Sequence, residues 1–183
     1  MSPFVDRMIR AAKLDVHLYE EVEADKGALG QAMGVVVLSS VASGVGLGEA
    51  GGVTGMVAGT IAALAGWFIW AFLTYFIGTK LLPEPQTRAD YGELLRTIGF
   101  ASAPGVIRVL GIIPAVAPIV FVVAGIWMLV AMVVAVRQAL DYHSTFRAIG
   151  VCGLGWLVQV IILALVLTMV GGIPEPVLQE TPA

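Results

Sequence analysis

The sequence predicts an all-α integral membrane protein, a bundle of five transmembrane helices with an N-terminal amphipathic interfacial helix, and three observations carry that prediction. The apolar fraction is 58% and the charged fraction 13%. Soluble domains run at roughly 45–50% and 25%, so this chain could not cover its own surface in water. Five runs without an acidic side chain are each long enough to cross about 30 Å of hydrocarbon, which takes about 20 helical residues. Nine of the ten Lys and Arg residues fall on one side of those runs, and the tenth, Arg108, lies inside one of them.

The chain opens with Val5, Met8, Ile9, Ala12, Val16, Tyr19 and Val22 at helical three- and four-residue spacing between Phe4 and Glu23, the charges falling largely elsewhere. This spacing predicts one amphipathic helix from Phe4 to Glu23 within a cytoplasmic N-terminal segment, residues 1–26, lying in the membrane interface or packed on the loops of the same side. No cleavable signal is evident, because these residues are charged throughout. The first span, about 27–48, is rich in small residues: Gly30 and Gly34, then Ser40, Gly44 and Gly48, recur every four. Such a stripe lets a neighbouring backbone approach closely, which in lipid replaces the missing hydrophobic drive for packing. The expected partner is the second span, about 53–79, where Gly51, Gly55 and Gly59, then Ala62 and Gly66, repeat the spacing. Trp67, Trp70, Tyr75 and Phe76 in its later half read as markers of the headgroup level. Pro83 and Pro85 stop it, and a polar loop, Glu84 to Asp90, leads to an amphipathic turn carrying Tyr91, Leu94, Leu95 and Ile98 on one face.

The third span, about 96–113, is the weakest. Nine Leu, Ile, Val and Phe residues between Ile98 and Val116 return roughly 4 kcal/mol on insertion scales, against ~2.5–3.5 kcal/mol for a mid-bilayer Arg108. Pro104 and Pro114 are expected to break it. The fourth span, about 117–137, has no charge before Arg137 and should insert with the third as a hairpin turning at Pro114 to Pro118. A polar connector, Arg137 to Arg147, leads to the fifth span, about 148–171. Pro174 and Pro176 end a five-span domain of residues 27–174, leaving a short acidic tail, 175–183, expected to be external.

An odd number of spans puts the termini on opposite sides, and the positive-inside rule chooses between them. Arg7, Arg10, Lys13 and Lys26 precede span one, Lys80, Arg88 and Arg96 lie between spans two and three, and Arg137 and Arg147 between four and five. The turns near Glu49 and Pro114 and the tail hold neither Lys nor Arg. The N-terminus is therefore expected in the cytoplasm and the C-terminus outside.

LYEEVEADKGALGQA before span one, LLRTIGFASAP at the start of span three and GIWMLVAMVVAVRQALDYHSTFRAIGV through span four together resemble the Yip family of five-span membrane proteins, more closely its bacterial branch. The likeness covers roughly residues 14 to 170 and is most specific at Gly99, Phe100 and Pro104 and from Trp127 to Ala148. It implies a five-span fold with a cytoplasmic N-terminus, in a bacterial inner membrane. Eukaryotic members interact with Rab-type GTPases through a cytosolic segment with a Tyr-Gly-Pro-type motif, which has no counterpart before Gly27, so that role does not carry over.

Several function classes are disfavoured. A net charge of −3 gives no field for nucleic acid. One cysteine, Cys152 in an apolar run, allows neither an internal disulfide nor a thiolate metal cluster and reads as packing. His17 lacks neighbouring ligands, and His143 beside Asp141 and Ser144 reads as a solvated loop. No HExxH, paired Asp or GxxxxGK[ST] motif occurs, and both histidines are placed away from Ser39, Ser40 and Ser43. The expectation is a non-enzymatic protein without cofactor or metal, partnered by the lipid bilayer, anionic lipid, membrane proteins or its own copies: a scaffold, trafficking-type or accessory subunit. The alternative is a small-solute or ion transporter or channel, working as an oligomer. Arg108, with no Asp or Glu in any span, has three outcomes: it snorkels outward, it donates to carbonyls freed near Pro104 or Pro114 and to Ser102 or Gln159, or it holds an anionic ligand or lipid.

Overall fold

A computed structural model describes residues 2–48 and 52–169. The turn at Glu49, Gly51 of the second small-residue stripe, the two terminal prolines and the tail 175–183 lie outside the described residues. Among those described every element is helical, and five helices are long and apolar enough to cross a membrane: Lys26–Leu47, Gly52–Leu81, Tyr91–Ile112, Ala117–Ala139 and Thr145–Ile162.

The N-terminal segment is two helices rather than the expected one, α1 (Pro3–Ala12) and α2 (Val16–Ala24). The apolar spacing runs through the break, which is why it reads as continuous. Leu14 takes a left-handed φ of 61°, and the Asp15 side chain accepts from the His17 N–H to start α2, the preferred residue type for that position. The fold-back brings Arg7 to Glu21 and Asp25, both at 2.9 Å, and Arg10 to Asp15 at 2.8 Å and Glu21 at 2.6 Å. These guanidinia hold the Asp15, Glu21 and Asp25 carboxyls below the usual carboxylate range. Ala11, Leu18, Tyr19 and Val22 are fully buried against the bundle, while Val5 and Ile9 remain exposed. Only part of the apolar face is therefore left for lipid.

Helix α3 (Leu29–Leu47) is followed by α4 (Gly52–Phe76), which ends in one π-helical turn, Ile77–Leu81. Carbonyls in and just after that turn are free to accept: the single proton of the Tyr142 hydroxyl is shared between Gly78 O at 2.9 Å and Leu82 O at 2.6 Å. The third crossing changes character partway. Helix α5 (Tyr91–Ala101) starts at a capping box between Asp90 and Glu93 and gives way at Ser102 to a ten-residue 3-10 segment, Ala103–Ile112, with Pro104 at its second position. Pro lacks an N–H and is tolerated in a first turn, where none is needed. At about 1.5 Å per α residue and 2.0 Å per 3-10 residue, the combination spans more than about 30 Å with few residues. Pro114 lies in the turn to α6 (Ala117–Ala139), and α7 (Thr145–Met169) follows.

Helix α3 packs most extensively on the 3-10 segment, more than on α4. Ala32, Ser39 and Gly46 recur every seven residues along α3 and meet Gly99, Gly105 and Gly111, which recur every six. Seven α residues rise about 10.5 Å; the step from Gly99 in α5 to Gly105 in the 3-10 segment also rises about 10.5 Å and the all-3-10 step to Gly111 about 12 Å, so the two rows stay in register. At one end of the bundle, called the basic end below, Arg96 is buried in α5 rather than solvated in a loop. Its guanidinium donates to Val22 O at 2.9 Å and to Glu23 O, closing the C-terminus of α2. Glu84 serves the opposite role at the start of α7, accepting from the His143 and Ser144 N–H groups, with Arg147 at 3.4 Å. Those contacts, the His143 N–H first, hold its carboxyl below the ordinary range.

Candidate functional site

Two concave regions stand out. One is a cavity of about 380 Å³ between the spans, to which α3 contributes Ser39, Ser40 and Ser43, and α7 contributes Gln159. The broken third crossing contributes Ser102 and Arg108. In a 3-10 helix residues three apart eclipse one another, so Ser102, Gly105, Arg108 and Gly111 form a single row. The glycines seat that row against α3, and the arginine is thereby carried into the bundle. Its Nε is buried with no hydrogen-bond partner among the described residues, and its Cζ lies over the Phe121 ring, 5.8 Å from the centroid. The remaining wall is apolar: Trp67 and Trp70 from α4, Met128 and Met132 from α6.

The sequence reading of Trp67 and Trp70 as headgroup markers needs correcting. Trp67 is 5% exposed and donates from Nε1 to Leu95 O at 3.1 Å, while Trp70 Nε1 points at Met132 Sδ, 3.3 Å away. A buried indole keeps a partner for its N–H, and both find one inside. Their neighbours Phe68, Phe72 and Phe76 are left exposed.

The second region is a groove of about 770 Å³ at the basic end, lined by Glu20, Glu23, Glu93, Arg137, Asp141 and His143 among others. Burial, then the neighbouring charges of Glu93 and Asp141, push the Glu23 carboxyl up to about 7. His17 is exposed, its Nδ1 3.6 Å from Glu20. His143 is exposed as well, and Cys152 is half-buried. No group of three metal-ligating side chains occurs among the described residues.

The glycines singled out from the four-residue pattern are spread over different surroundings. Gly30 is exposed and an added Cβ there would meet nothing within 4 Å, so it is not a packing glycine in this fold. Gly34 lies beneath Phe4 of α1, 3.5 Å from where a Cβ would sit. Gly44 is buried, Gly55 half-buried and Gly59 exposed. Helix α3 does touch α4, with the Ser40 and Thr60 hydroxyls 3.4 Å apart. The closest approaches are elsewhere: a Cβ on Gly46 would lie 1.9 Å from Arg108 O, on Gly105 2.0 Å from Ser39 Oγ, and on Gly99 2.7 Å from Ala32 Cβ. Gly78, under Leu140 at 2.4 Å, is a further one. A search for spacings of four misses these rows, because they recur every seven and every six; the six-residue row in the third span was the available signal.

No curated protein and no solved structure matches the chain. The family model of the Yip1 domain matches residues 21–169, a stretch that takes in all five apolar helices and every residue named around the cavity. By that match this multi-pass membrane protein belongs to the Yip1 domain family.

Proposed function

We propose that the protein is a non-enzymatic scaffold, trafficking-type or accessory subunit, with its N-terminus in the cytoplasm of a bacterial inner membrane and its C-terminus outside. One observation carries this reading: the residues before the first span fold back as α1 and α2 and dock on the basic end, leaving an open polar groove there. Its walls come from α2, α5, α6 and the two loops on that side. A folded platform held by ion pairs and by Arg96 suits docking of a partner better than catalysis. The test is purification in native-lipid discs together with reconstitution of the protein alone. A protein partner held in fixed ratio, released by Glu20→Lys with Asp141→Lys, is expected, with no solute flux across vesicles. Saturable flux by the protein alone would overturn the reading.

The second reading, a small-solute or ion carrier assembled from several copies, is favoured by the cavity and its arginine, since intramembrane charges mark solute paths in other proteins. The same vesicle experiment decides between the two.

A further inference from the structure

We propose that the cavity around Arg108 binds the oxyanion of an acyl-chain amphiphile, a carboxylate or phosphate head, which enters sideways from the bilayer between α4 and α7. The polar side chains facing the cavity are rich in donors: a guanidinium, the hydroxyls of Ser39, Ser43 and Ser102, and the Gln159 amide. Among the five apolar helices the only carboxylate is Glu93, engaged in the capping box that starts α5. The Arg108 Nε is buried without a hydrogen-bond partner among the described residues, which leaves the charge uncompensated, and a guanidinium among neutral donors is complementary to an oxyanion, which accepts from several donors at once.

The walls and the opening point to a chain on that oxyanion. Trp67, Trp70, Met128 and Met132 offer apolar, adaptable surface. Helices α4 and α7 touch where a Cβ on Gly155 would lie 3.4 Å from Trp70, and just beyond the π turn that follows α4, Leu82 lies 3.9 Å from where a Cβ on Gly150 would sit. Further from the basic end, Val57 and Ile61 of α4 and Ile161 and Ile162 of α7 are exposed by 43–63%. The contacts between the two helices thus lie toward the basic end, and the entry is placed beyond them, where both carry apolar side chains that face hydrocarbon. The cavity has room for a head and the first methylenes, with the rest of the chain in the bilayer. The inference rests on the cavity and requires no transport.

Trp127→Phe with Trp156→Phe leaves Trp67 and Trp70, of the four tryptophans, as reporters inside the cavity. In phosphatidylcholine vesicles, at a pH where the acid is ionised, a dibrominated long-chain fatty acid is expected to quench them saturably, at a mole fraction roughly tenfold below that needed for its methyl ester. Arg108→Gln should erase the difference, and Arg108→Lys should keep part of it. Should Arg108→Gln fail to fold, judged by circular dichroism and gel filtration, Gln159→Leu should weaken the acid alone, by roughly threefold. Equal quenching by acid and ester, or an acid response untouched in these variants, overturns the proposal. Displacement of the acid by inorganic phosphate at comparable concentration also overturns it, by assigning the site to a free anion. Absence of flux leaves it standing, because the assay reads occupancy.

Discussion

Gly46→Ala tests the seam on which the Arg108 site depends. The added methyl would be placed 1.9 Å from the Arg108 carbonyl oxygen and 3.3 Å from the Phe121 ring. An ordinary C···O contact needs about 3.3 Å, so α3 and the 3-10 segment would have to separate by more than about 1 Å. Backbone cannot rotate away as a side chain can, and overpacking of this kind costs about 1–3 kcal/mol. We expect a value near the upper end of that range, because Gly46, Gly105 and Gly111 share one interface and would all lose contact. Gly30→Ala is the matched control: nothing lies within 4 Å of its Cβ, and alanine is the better helix former by up to about 1 kcal/mol. Reversible unfolding in mixed micelles, followed by far-UV circular dichroism, gives both values. A Gly46→Ala protein within about 0.5 kcal/mol of the parent, or a Gly30→Ala protein equally damaged, would refute the idea that α3 and the 3-10 segment touch at backbone distance.

Two further predictions concern charge. Arg108→Leu should stabilise the protein in the same assay by up to about 3 kcal/mol, since it removes a partly buried cation four residues from the end of the third crossing, whose cost is at most the roughly 2.5–3.5 kcal/mol of mid-bilayer, and gives up a cation–π contact of about 0.5–2 kcal/mol; a loss of stability would mean that the guanidinium is satisfied. At the basic end, Glu23 binds its proton more tightly when α2 is docked, its carboxyl being at about 7 against 4.5 for the free group. Docking of α1 and α2 should therefore weaken as pH rises from about 4.5 through 7. Asp15, Glu21 and Asp25 are shifted the other way, so their contribution is present above the ordinary carboxylate range and is lost as pH falls through their lowered values. Hydrogen exchange of α1 and α2 should then show greatest protection on the acid side of neutrality, and Glu23→Gln should abolish the loss above it. Protection that rises from pH 5 to 8 in the parent would contradict this.

Composition and the distribution of Lys and Arg were enough to define an all-helical membrane protein with five crossings, because lipid requires each crossing to satisfy its own backbone and so leaves a long apolar run in the sequence. The weakness of the third crossing was legible too, in Arg108, Pro104 and Pro114. Which faces meet was not. Small-residue spacings of four are what two α-helices need, whereas here one partner is a 3-10 segment, whose three residues per turn select Gly105, Arg108 and Gly111 as one row and pair it with Ser39 and Gly46. The break at Leu14 and Asp15 was hidden for a related reason: the apolar spacing of α1 and α2 is continuous, and only folding back to form the Arg7 and Arg10 ion pairs separates them. Trp67 and Trp70 could be read as belt residues until Leu95 O and Met132 Sδ were placed beside them. Hydropathy reports that a side chain leaves water; whether it then meets lipid or protein depends on neighbours distant in sequence, and those are set by the tertiary fold.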